Sequence, residues 1–167
     1  MATTIRGSDN FDTAFAKSVA VIADVKAYNA NGGTFTQDAW QTRDLNTELD
    51  DSENIVSITS NQFTLQAGTY LVEWAVPAYD VAHHTSRLQN ITDSTTDAEG
   101  TSAYADPTGD VANTSTGAAV IAITSAKVFE VQHYCLSTKT NNGFGVTTDV
   151  TGKNNVYTLV KIHKIGA

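Results

Sequence analysis

The sequence predicts an all-β sandwich of about ten short antiparallel strands, and three observations carry that expectation. The first is composition. Of 167 residues, 41% are hydrophobic and only 17% charged, so the polar share falls to Thr, Ser, Asn and Gln. A charge-poor, Thr- and Asn-rich chain with β-branched residues in short runs reads as sheet, whereas helix-rich domains lean on Glu, Lys, Leu and Ala. Second, short apolar runs alternate with Gly, Asn, Asp and Pro turn chemistry along most of the chain. Third, Gly68–Tyr79 alternates with period two. Tyr70, Val72, Trp74 and Val76 share one face of a strand, and that face must be core.

The elements follow in order. Residues 1–18 form a polar arm in which Phe11 and Phe15 stand one helical turn apart; a helix so brief is marginal alone. Residues 19–167 form one domain, long enough to bury a core without staples. Its strand-like runs are Val19 to Tyr28, Trp40 to Leu45, Asn54 to Thr59, Gln62 to Leu65 and Gly68 to Tyr79. His83 to Thr92 precedes a long polar connection, Asp93 to Thr116. Ala118 to Thr124, Lys127 to Ser137, Gly143 to Thr148 and Val156 to Ile165 complete the set. In the last run Val156, Thr158, Val160 and Ile162 alternate with Tyr157, Leu159, Lys161, His163 and Ile165. Both faces carry bulky groups, so the second face needs a cover. Another subunit or a folded-over loop would supply it.

Several function classes lose support here. A net charge of −8 argues against nucleic acid, because phosphate contacts need clustered Lys and Arg. No apolar run reaches the ~18 residues of a membrane span, and the first residues lack the apolar stretch of a signal peptide. The chain is therefore expected to be made in the cytosol, with no membrane partner. Cys135 is the only cysteine, which excludes an internal disulfide framework.

Candidate chemistry is thin. His83 and His84 are neighbours on a strand and point to opposite faces, so they do not chelate one ion easily. Asp50-Asp51-Ser52-Glu53 lacks the alternating spacing of a calcium loop, and Asp93, Asp97, Asp106 and Asp110 read as solvated turns. Cys135 shares a strand face with Phe129, Val131 and His133, which suits a buried small residue better than a nucleophile. Gly143-Phe144-Gly145 is too short for a phosphate loop. No paired carboxylates suggest glycoside hydrolysis. The expectation is a non-enzyme with no cofactor and no metal.

Phe63-Thr64-Leu65-Gln66-Ala67-Gly68-Thr69-Tyr70-Leu71-Val72-Glu73-Trp74 resembles the signature of the tumour-necrosis-factor and complement globular-head superfamily. Val156 to Ile162 resembles that family's last strand, and Lys127 to Cys135 the strand before its final hairpin. Gly33-Thr34-Phe35-Thr36 and Trp40 to Asn46 are similar to versions from tailed bacteriophages. The resemblance implies a ten-stranded jelly roll packed as a compact three-fold homotrimer. It implies axis-facing residues Leu71, Glu73 and Ala75, joined by Glu130, Gln132 and Tyr134 and by Tyr157, Leu159 and Lys161. Tyr70, Val72, Trp74, Phe129, Val131 and Val160 would be core.

From the resemblance and the economy of the chain, the expected role is a trimeric capsid decoration (cement) protein on the virion surface, bound to the major capsid protein. The arm, with Phe11 and Phe15 as docking groups, reaches ~60 Å when extended. That suits a tether and not a fibre shaft. The alternative is a tip of a head or tail fibre binding a host-surface receptor or glycan through Asp93 to Thr116, including Tyr104.

Overall fold

The computed structural model describes residues 18–167; the arm residues Phe11 and Phe15 lie outside them. Twelve strands are present among the described residues, and every pairing between them is antiparallel. They are β1 (Val19–Lys26), β2 (Gln41–Thr42), β3 (Thr47–Asp50), β4 (Val56–Thr59), β5 (Gln62–Leu65), β6 (Gly68–Tyr79), β7 (Ala82–Asn90), β8 (Thr95–Glu99), β9 (Ala103–Ala105), β10 (Ala112–Ile123), β11 (Lys127–Cys135) and β12 (Asn155–Gly166). One sheet runs β10-β6-β12-β1-β3 and the other β4-β5-β11-β7-β8, with β2 added to β11 and β9 to β7.

The main core lies between the sheets. Alternation delivers Tyr70, Val72, Trp74 and Val76 from β6, Ile22 from β1 and Val160 and Ile162 from β12 on one side. Phe63, Leu88, Phe129 and Val131 answer from the other. The six expected core residues are all buried. Trp74 also needs a polar partner, because an indole N–H buried without one is costly. It donates to Ser86 Oγ at 2.8 Å, and Ser86 and Ser115 share a hydrogen bond of 2.7 Å. Its ring fits because position 117 is glycine: a Cβ there would collide with the indole.

Three expectations are corrected. Asp93 to Thr116 is not a loop; it supplies β8, β9 and the start of β10. Gly143 to Thr148 is not a strand. There the glycines allow close packing: a Cβ on Gly143 would stand 2.6 Å from the Lys139 carbonyl oxygen and 2.7 Å from Phe35 Cβ. Trp40 lies outside the strand that was expected to hold it, since β2 is only Gln41–Thr42. It is half-buried at the surface under the Arg87 guanidinium, 4.1 Å from its ring.

Candidate functional site

The surface that most needs explaining is the outer face of the five-stranded sheet. Residues directly opposite in an antiparallel ladder point to the same face. One row across this face is Val120, Leu71, His163 and Val19; the next is Ala118, Glu73, Lys161 and Val21. A third holds Thr116, Ala75 and Leu159. Most of these are apolar, yet the described residues bury none of them: Leu71 and Leu159 are half-buried and Val120 is 68% exposed. Small residues at 75, 117 and 118 sink the middle into a depression of about 480 Å³, flanked by Glu73, Leu159 and Lys161. The ionisable groups here are Glu73, Lys161 and His163, with His163 Nε2 3.8 Å from Glu73 Oε2.

The structure therefore brings together Leu71, Glu73, Ala75, Leu159 and Lys161 as expected, and separates the rest. Glu130, Gln132 and Tyr134 lie on β11, in the other sheet, on its face away from the core, where Glu130 is buried by its neighbours and the other two are half-buried. Their polar groups are already bonded within the subunit. Thr42 Oγ1 and Gln62 Nε2 each donate to the Glu130 carboxylate at 2.9 Å, and Arg87 Nε donates to Gln132 Oε1 at 2.8 Å. Alternation assigns a face but does not say which sheet a strand joins.

Tyr157 is the second correction. Between Ala23 and Val25 of β1 stands one residue, while β12 places two, Tyr157 and Thr158, between their partners Leu159 and Val156. This β-bulge reverses the parity of everything before it. Tyr157 turns into its own subunit, 5% exposed, with its hydroxyl donating to the Ala30 carbonyl at 2.7 Å. Its ring occupies the space that a side chain at Gly145 would need. Val156, expected on the core face, is 51% exposed instead.

The candidate chemical residues divide into satisfied turns and a buried cluster. Asp51 accepts from the Ile55 and Val56 amides at 2.8 and 3.1 Å, and Asp93 pairs with Lys127 at 2.6 Å. Among the described residues no group of three or more His, Cys, Asp or Glu could hold a metal ion. Burial pushes the Cys135 thiol up to about 11, which makes it a poor nucleophile. His84 turns inward and meets His133 across the strands at 2.9 Å. Near them is Arg43, buried and without a direct carboxylate partner among the described residues. Its guanidinium donates to Thr158 Oγ1, the Pro77 carbonyl and the Phe144 carbonyl at 3.1, 3.2 and 2.9 Å, and lies 4.3 Å from the Phe144 ring. Sequence reasoning missed this cluster; its members are far apart in the chain and no spacing announces them.

No family model matches the chain, and no curated protein matches it in sequence. Solved structures do. The globular domain of zebrafish complement 1qA superposes with a TM-score of 0.56 at 13% identity, covering 89% of this chain and 97% of that one. Murine APRIL at pH 8.0 gives 0.57 at 12% identity, covering 89% and 98%. The fold is a tumour-necrosis-factor-like jelly roll. Its ten main strands lie five to a sheet, with β2 and β9 as short additions.

Proposed function

We propose that the chain assembles as a homotrimer through the outer face of its five-stranded sheet. In that form it would serve, without catalysis, as a capsid decoration protein on the head of a tailed bacteriophage. The observation that carries the assembly is the open apolar face around Leu71, Val120 and Leu159. Contiguous apolar surface of this kind is rare on a monomer and marks association. The phage role draws its support from the sequence likeness of residues 33–46 to versions from tailed bacteriophages. Net charge of −8 speaks against a nucleic-acid partner, so the major capsid protein is the proposed one. Light scattering should give three times the 17.8 kDa chain mass, and the trimer should co-sediment with undecorated shells.

A second reading, a receptor- or glycan-binding fibre tip, is favoured by one feature. Tyr104 is 46% exposed and packs on His83 with ring centroids 4.8 Å apart, close to a depression of about 250 Å³. Aromatic faces at a surface hollow suit a sugar ring. A trimer that ignores shells but binds host-surface glycan would establish that reading instead.

A further inference from the structure

Phe35, Ala78, Val81, Ala105 and Cys135 form a second, smaller core with Phe144 packed against it. Two imidazoles adjoin it. On the β7–β11 ladder His84 stands opposite Cys135 and His133 opposite Ser86, so the two rings meet diagonally. Nδ1 of His84 lies 2.9 Å from Nε2 of His133. A neutral imidazole has one N–H and one lone pair, so this bond uses the N–H of one ring and the lone pair of the other. The remaining N–H and lone pair sit on His84 Nε2 and His133 Nδ1, and both atoms are buried without a partner among the described residues.

Among the described residues no carboxylate pairs with either ring, and Asp24 and Asp44 act on Arg43 instead. Arg43 acts on both rings, His83 acts on His84 from its own strand, and His84 acts on His133. The acids of the neighbouring elements are committed elsewhere. Asp80 pairs with Lys139 at 2.7 Å and accepts from the Val111 amide, and Asp38 accepts from the Tyr134 hydroxyl. The Cys135 thiol stays neutral. A proton on the pair would place a second cation near Arg43, and His84 lines the surface depression of about 250 Å³, so moving that ring out to water is the cheaper outcome.

What the pair supports is one end of the sandwich. The Phe35 ring lies between His133, at 4.7 Å, and Phe144, at 4.4 Å. Phe35 and Lys139 exchange two backbone hydrogen bonds of 3.0 Å, the Gly33 amide donates to Asn141, and the Phe144 amide donates to Gly33. We infer that His84 and His133 form an acid-sensitive latch: while neutral they close the end built from residues 29–40 and 137–148, and proton uptake opens it.

Burial first, and Arg43 second, hold His84 down to about 4 and His133 well below the ordinary imidazole range. The unfolded rings titrate near ~6.5, so the stabilisation is complete above that pH and is lost as pH falls from there towards 4. Hydrogen exchange on the full chain at pH 7.5 and 5.0, corrected for intrinsic rates, tests the latch. Protection of the Gly33, Phe35, Lys139 and Phe144 amides should fall by about tenfold or more, while Val72 and Val160 in the main core change by less than about twofold. The double variant His84→Leu/His133→Phe should lose that difference. Should the variant not fold, imidazole NMR on the native chain decides, with His84 and His133 remaining neutral down to pH about 5. Equal loss at all amides, no loss at the four, or ordinary titration of both rings would overturn the latch.

Discussion

Lys161 on β12 stands directly opposite Glu73 on β6, in the middle of the open face of the five-stranded sheet. Neither can meet Glu130 of the same subunit, which lies on the other sheet, on its face away from the core. In the proposed trimer the Lys161 and Glu73 charges become enclosed together. Lys161→Met should therefore weaken assembly, since removing one partner of a buried pair costs ~3–5 kcal/mol. The fold of the separate subunit should survive. Sedimentation equilibrium across a dilution series measures the change; an unaltered trimer would place these residues outside the interface.

Leu159 and Tyr157 separate assembly from folding. Leu159 opens onto the depression, whereas Tyr157 is inside its own subunit. Leu159→Glu should give a folded monomer. Tyr157→Phe should leave the oligomer intact and cost ~0.5–1.5 kcal/mol for the lost hydrogen bond to Ala30. Chemical denaturation paired with light scattering reads both, and a monomeric Tyr157→Phe would return that residue to the interface.

Trp74 combines packing with a buried hydrogen bond. Trp74→Ala should cost ~3–5 kcal/mol, or roughly 6–20 °C in Tm for a domain of this size. Trp40→Ala should cost less, because that ring is half-buried at the surface. Gly117→Ala changes one methyl group yet should also cost ~1–3 kcal/mol, because that methyl and the indole claim the same space. Thermal melts that rank Trp40 above Trp74 would contradict the packing described.

What was legible in the sequence was local. Period-two alternation located β6 to the residue and its four core side chains, and it found the burial of Phe129 and Val131 on β11. It failed where a rule of parity meets a bulge. One extra residue in β12 moved Tyr157 inward and Val156 outward, and nothing in Val156-Tyr157-Thr158 marks the insertion. The family resemblance, not alternation, had put Glu130, Gln132 and Tyr134 at the axis, and it failed because sheet membership is decided by long-range pairing. The Arg43, His84 and His133 cluster was hidden for the same reason: two residues from β7 and β11 and one from the segment between β2 and β3 become one buried group only when the sandwich closes.

Arg43 ties that cluster to stability. It is 1% exposed, and burial draws its guanidinium down to about 9. Only a planar fork can donate at once to Thr158, Pro77 and Phe144 while stacking on an aromatic ring. Arg43→Met should leave the two carbonyls without a donor and cost ~1–3 kcal/mol at pH 7.5. Arg43→Lys should not rescue, since a single ammonium cannot span three acceptors. Removing the charge also lifts the second cause that depresses His84 and His133. Their folded pKa values then move up towards the unfolded value, and less stability is lost as pH falls below about 6.5. Melts at pH 7.5 and 5.0 should therefore show Arg43→Met less stable than the native chain at neutral pH but with a shallower acid slope. A slope as steep as the native one would mean that Arg43 does not act on the imidazole pair.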